Sequence, residues 1–190
     1  RAVPLNKRPM RVVATFKDLD PALEFAHAIK PLKPRLINLY DLKIVQEAKE
    51  IGKNLDGVIR KLEDGFVVFA SFDERINNCL KKLTLMQKDF PRTTKFIFEN
   101  VNNRVELNEF ENALSVYLNN TKGGERVPIL TDFYLPARNL GGFLKDLKVL
   151  EQKLDLDLAL YGSYATSIYS LRPKFNLEDK DFNKKAATFL

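Results

Sequence analysis

The sequence predicts an α+β fold in which strands and amphipathic helices follow one another along the chain. Three observations carry that reading: β-branched and aromatic runs of strand length, apolar residues recurring at helical spacing, and prolines that close several of these stretches.

Taken in order, RVVATFK (11–17) is rich in β-branched residues and reads as a strand. Asp18 or Asp20 can cap the helix that follows, Pro21 suits its first turn, and Leu23, Ala26 and Ile29 share one face before Pro31 and Pro34 end it. RLINLY (35–40) alternates as a strand, and Asp41 caps a helix over 41–55 that breaks near Gly52. FVVFASF (66–72) is a continuous apolar run, as a central strand requires. Ile76, Cys79, Leu80, Leu83, Met86 and Phe90 then mark one face of a helix closed by Pro91, and TTKFIFE returns as a strand. A helix is expected at about 106–118, a turn at TKGGE (121–125) and a strand at 127–135. Leu140, Phe143, Leu144, Leu147, Leu150 and Leu154 repeat the earlier helical spacing. DLALYGS and SIYSLRP are two further strands, and EDKDFNKKAATFL begins a last helix.

With the helix at 41–55 set apart, the first half runs β-α-β-β-α-β, the ferredoxin-like split βαβ pattern. The second half runs β-α-β-β-α, an incomplete unit of the same kind. The expectation is therefore a linker at 1–10, a ferredoxin-like module at 11–100 and a second, truncated module at 101–190. Antiparallel sheets would carry helices packed on one face, with the module boundary in the polar stretch Asn100 to Arg104.

Composition narrows the class. Hydrophobic residues make up 45% of 190, ample for a core at this length. No run of about 18 apolar residues occurs, so no membrane-spanning helix is expected. Arg1 in place of Met points to an excised or processed chain. A single Cys79 excludes an internal disulfide and fits a reducing, cytoplasmic compartment. It reads as a small buried hydrophobe rather than a reactive thiol, with no cation beside it on the apolar face. The net charge of +6 is spread among 25 acidic residues, and the one basic cluster, RAVPLNKRPMR, reads as a linker. That dispersion argues against a nucleic-acid footprint, although GFVVFASF loosely matches the aromatic strand of an RNA-recognition fold. An RNA-binding module, or a small-molecule-binding module without redox activity, is the alternative function.

Catalytic signatures are sparse. There is no GxxxxGK[ST] or GxGxxG loop, no CxxC pair and no HExxH, and His27 stands alone on a helix. No metal site and no catalytic residue are expected. One segment stands out: YGSYATSIYSLRP (161–173) packs three Tyr, three Ser and one Thr around a hairpin ending in Arg172 and Pro173. Its hydroxyls either orient a ligand in a cavity or serve as ordinary turn residues.

At this segment the chain resembles the C-terminal domain of FAD-linked oxidases of the vanillyl-alcohol oxidase type, the group that includes D-lactate dehydrogenase and the glycolate oxidase flavoprotein subunit. RVVATFKDLDPALEFAHAI is similar to that domain's opening strand and helix. TDFYLPARNL matches a D-V-x-V-P-x-S-x-L pattern at Asp132, Pro136 and Leu140. YGSYATSIYSLRP aligns without gaps on F-G-H-x-G-D-G-N-x-H-x-R-P, keeping Gly162, Arg172 and Pro173. Ser163 and Ser170 stand where the family has two histidines, Thr166 where it has Asp, and Ile168 where it has Asn. A Ser hydroxyl is neither a strong metal ligand nor a base near neutral pH, so metal binding through this motif is not carried over.

The resemblance implies a cap, or substrate, domain of a FAD-dependent oxidoreductase acting on CH–OH groups. The FAD would be bound by a separate domain N-terminal to Arg1, over a small-molecule substrate. Ser163, Tyr164, Thr166, Ser167, Tyr169, Ser170 and Arg172 are the implied pocket residues, of which strand alternation lets only some face the pocket. Arg172 would either anchor a substrate carboxylate or pair with Glu178 or Asp179 at the surface.

Overall fold

The apolar runs pair edge to edge into one sheet. The computed structural model describes residues 10–51, 65–72, 93–100, 102–119, 126, 128, 130–175 and 180–189, with five single positions between 81 and 90. Seven strands are described: β1 (Met10–Phe16), β2 (Leu36–Asp41), β3 (Phe66–Phe72), β4 (Thr93–Phe98), β5 (Leu130–Tyr134), β6 (Asp157–Ser163) and β7 (Ile168–Lys174). Their order is β4-β1-β3-β2-β6-β7-β5, and every pairing is antiparallel. The α+β class is as expected. The sheets of the two halves are one sheet, joined where Asn38, Leu39 and Tyr40 of β2 meet Ser163, Gly162 and Tyr161 of β6.

Helices α1 (Leu19–Ile29), α2 (Leu42–Ile51), α3 (Arg104–Asn119), α4 (Ala137–Leu154) and α5 (Phe182–Phe189) accompany the strands. The expectation of helices on one face is corrected here. On one side, Val12, Ala14, Phe16, Ile37, Leu39, Val68, Ala70, Leu158, Leu160 and Leu171 pack with Phe25 and Ile29 of α1 and Leu140 and Leu147 of α4. On the other side, Val13, Tyr40, Val67, Phe69 and Ala159 pack with Ile44, Val45 and Ala48 of α2 and Leu107, Phe110 and Leu114 of α3. The cause is visible in β3: FVVFASF is apolar at both parities, so each face of that strand needs a cover.

Local signals behave unevenly. Asp18 takes the N-cap position of α1 but makes no side-chain cap bond. Asp41 Oδ1 accepts the Lys43 N–H at 3.0 Å, satisfying an open donor in the first turn of α2. In the 100–104 turn, Asn100 Oδ1 accepts the Asn102 N–H at 2.8 Å and Asn103 Nδ2 donates to the Phe98 carbonyl at 2.7 Å. The strand expected over 127–135 is shorter, with a register shift between Leu130 and Phe133. Asp132 sits there at φ 54, and Pro128 just before the strand has no N–H to give a ladder.

Lys81, Thr84, Leu85 and Lys88 are helical, within the helix read over 76–90. Cys79, residues 1–9 of the basic cluster, the turn at 121–125, Glu178 and Asp179 lie outside the described residues, while Met10 and Arg11 of that cluster belong to β1. Among the described residues, no helix is long and apolar enough to cross a membrane.

Candidate functional site

The hydroxyl-rich segment forms β6, a turn at 164–167, and β7. Gly162 lets these strands meet: a Cβ there would lie 2.4 Å from the Ile168 carbonyl oxygen and 2.6 Å from Tyr169 Cα. The register pairs Tyr161 with Ser170 and Ser163 with Ile168. Alternation therefore puts Ser163, Ser170 and Arg172 on the sheet face that carries α2 and α3. Tyr161 shares that face, and β2 adds Asn38 and Tyr40 beside it.

Within this group, Asn38 Nδ2 donates to Tyr40 Oη at 3.0 Å, and Ser170 Oγ accepts the Asp132 N–H at 3.2 Å. Burial raises the Tyr40 phenol to about 12, against the opposing hydrogen bond from Asn38. Ser163 and Tyr161 are half-buried, while Ile168 and Tyr134 beside them are exposed. The result is a partly open wall of hydroxyls and aromatic edges.

The other named residues are placed differently. Tyr164 and Tyr169 belong to the core on the opposite face, with Phe133 6.4 Å from the Tyr169 ring. Tyr164 Oη lies 3.5 Å from His27 Nδ1, and burial raises the Tyr169 phenol to about 12. Thr166 is exposed in the turn, its N–H 3.4 Å from Ser163 Oγ, and Ser167 adopts φ 59 there while its carbonyl accepts the Leu135 N–H. The segment thus splits into a wall (Ser163, Ser170, Arg172), a core pair (Tyr164, Tyr169) and a turn (Thr166, Ser167).

Arg172 is 4% exposed. Its guanidinium lies over the Tyr161 ring at 5.4 Å and donates from Nη2 to the Leu118 carbonyl in the last turn of α3. Its Nε has no hydrogen-bond partner among the described residues. A cation at a helix C-terminus completes carbonyls that the helix leaves open.

Below Arg172 lies an ionic chain. Arg126 Nε donates to both Glu47 oxygens at 2.8 and 2.9 Å, its Nη2 to Asp157 Oδ2, and its Nη1 to the carbonyls of Asp157 and Arg172 at 3.0 and 3.2 Å. Tyr117 Oη donates to Glu47. Lys43 Nζ meets Asp157 and, at 3.2 Å, Glu151. Burial would raise the Asp157 carboxyl, but Lys43 and Arg126 prevail and hold it below its ordinary value. Asp41, at the end of β2, is pushed up to about 6 by burial.

Asn38 and Tyr40 are wall residues outside the segment that the sequence singles out, and Tyr161 lies within it but not among the implied pocket residues. The alternation in RLINLY puts Asn38 and Tyr40 on one face, but nothing in it says that β2 neighbours β6. Of the aromatics in the first half, Phe16, Phe69 and Phe72 are buried, with the Phe69 ring 5.8 Å from Phe110, while Phe66 is partly buried.

No protein-family model and no curated protein matches the chain in sequence. Solved structures do match in fold. A 4-ethylphenol oxidase from Gulosibacter chungangensis, in complex with isoeugenol, superposes with a TM-score of 0.68 at 10% identity, over 98% of this chain and 43% of its own. A p-cresol methylhydroxylase with substrate bound gives 0.68 at 13% identity, over 97% and 42%. An alkyldihydroxyacetonephosphate synthase gives 0.59 at 11% identity, over 98% and 40%. The chain is thus similar in fold to part of redox and synthase enzymes, and it spans about two fifths of their length.

Proposed function

We propose that this chain is the cap, or substrate, domain of a FAD-dependent oxidoreductase related to the vanillyl-alcohol oxidase group, closing a substrate pocket over a flavin held by a separate domain. The observation that carries the reading is coverage. Nearly all of this chain, and only about two fifths of each matched enzyme, takes part in the superposition, as a domain of a larger enzyme would. The strand order β4-β1-β3-β2, with β6-β7-β5 in the corresponding order beside it, supports two ferredoxin-like modules sharing one sheet.

The residues suit one side of such a pocket. A half-open wall of Asn38, Tyr161 and Ser163, with Ser170 buried beside it, offers polar groups but no backbone cradle for a diphosphate, so the dinucleotide's own site is assigned to the separate domain. Bound there, FAD would supply the hydride acceptor, while the wall orients the substrate and excludes water. Ser163 and Ser170 leave the wall without the imidazole that could serve as a base near neutral pH. Arg172 serves the wall by holding Tyr161 and the end of α3. The turn residues Thr166 and Ser167 are rim candidates, and Tyr164 and Tyr169 support the hairpin from behind.

The test uses the intact natural polypeptide that carries this sequence. Purified from its source and denatured, it should release FAD in stoichiometric amount. An intact polypeptide without flavin would overturn the proposal.

A further inference from the structure

On the opposite side of the sheet from the hydroxyl wall, a cavity of about 270 Å³ opens between α4 and the ends of β1, β2 and β3. Phe66, Leu147, Leu158 and Leu160 make its floor, so its depth is apolar. Its mouth is charged, and the charges divide sharply by whether they are already engaged.

Glu151 is occupied twice, accepting the Leu158 N–H at 2.7 Å and Lys43 Nζ at 3.2 Å. Asp41 accepts the Lys43 N–H, and Lys43 itself is held by Asp157, Glu151 and the Leu158 carbonyl. Lys17 and Lys148 also line the mouth, and neither has an ion-pair or hydrogen-bond partner among the described residues. Among the described residues, the cavity is thus lined by two lysines without a partner beside an apolar floor. That arrangement is complementary to a molecule with one anionic end and one apolar end.

We infer that this cavity is a second ligand site, which binds a small amphipathic anion with its apolar body on the leucine floor and its acidic group between Lys17 and Lys148. The site lies on the sheet face opposite the hydroxyl wall, and the inference does not rest on the proposed function. The cavity limits the body to a short alkyl chain or a single aromatic ring, because larger groups exceed its volume. Lysines act as point charges with rotatable donors, so they select charge rather than a planar carboxylate geometry.

Sodium octanoate is the probe, titrated into the protein while leucine methyl resonances are followed by NMR. Saturable shifts are expected at Leu147, Leu158 and Leu160, and 1-octanol should bind at least tenfold more weakly than octanoate. The double variant Lys17→Glu, Lys148→Glu should keep the folded spectrum and lose at least tenfold in octanoate affinity, while its 1-octanol affinity stays the same. Absence of saturable shifts in these methyls would overturn the inference. Equal affinity for octanoate and 1-octanol, or octanoate binding untouched by the charge reversal, would overturn it as well.

Discussion

Arg126 Nη1 donates to the carbonyl oxygens of both Asp157 and Arg172, so one buried side chain bridges the paired strands β6 and β7. The same guanidinium holds Glu47 of α2 through Nε. A residue from the connection between α3 and β5 thereby ties a helix of the first half to the hairpin of the second.

Replacing Arg126 by Met should therefore cost stability across both halves. Breaking a fully buried ion pair costs about 3–5 kcal/mol, and here Glu47 and Asp157 keep some contact with water. The expected loss is roughly 2–4 kcal/mol, read as a shift of a single cooperative urea transition. Two separate transitions would show that the halves unfold independently and that Arg126 does not couple them.

Gly162 supplies a second prediction. A methyl group there would press on the Ile168 carbonyl and Tyr169 within the paired strands. Gly162→Ala should destabilise by roughly 1–3 kcal/mol, the usual cost of overpacking, or prevent folding outright. A melting temperature equal to that of the wild type would mean that the β6–β7 pairing is looser than its register implies.

How far the sequence disclosed these features depends on the kind of force involved. Strand and helix positions follow local patterns, so β1, β3, β6, β7 and α4 fall close to where alternation and apolar spacing put them. Which face a helix covers is a question of tertiary contact. The clue lay in FVVFASF, apolar at both parities, which already demanded cover on two sides. The wall is legible only in part for the same reason. Ser163 and Ser170 share a face by counting, whereas Asn38 and Tyr40 arrive through a β2–β6 pairing between residues more than a hundred positions apart. Arg126 carried no sequence signal, since nothing local marks an arginine that will be buried between two carboxylates.

Asp41 provides a pH test. Its carboxyl ordinarily titrates near 3.8, and burial raises it to about 6 in the folded protein. The folded state then holds this proton more tightly than the unfolded state, so folding is favoured at low pH. That advantage is lost as pH rises from about 4 to about 6. The charges of Lys43, Arg126 and Asp157 also act on this carboxyl, so the informative quantity is a difference between proteins. Asp41→Asn keeps an oxygen for the Lys43 N–H and removes the titration. Its stability relative to wild type should increase between pH 4 and 6, by up to about 3 kcal/mol, then level off. A difference independent of pH would show that Asp41 titrates normally.

Tyr169 yields the last prediction, one in which truncation should help. The ring is fully buried, packed with Phe133, and its hydroxyl has no hydrogen-bond partner among the described residues. A buried hydroxyl without a partner costs about 1–3 kcal/mol, while the aromatic ring contributes its full packing. Tyr169→Phe keeps the ring and deletes the unpaired group, so the melting temperature should rise, with a gain of about 1 kcal/mol. Tyr164 is the internal comparison, because its hydroxyl lies within reach of His27. Tyr164→Phe should be neutral or slightly destabilising. If Tyr169→Phe instead lowers stability by 1 kcal/mol or more, its hydroxyl makes a bond that outweighs its burial. Tyr169 would then belong with the residues that shape the hairpin through polar contacts, rather than through packing alone.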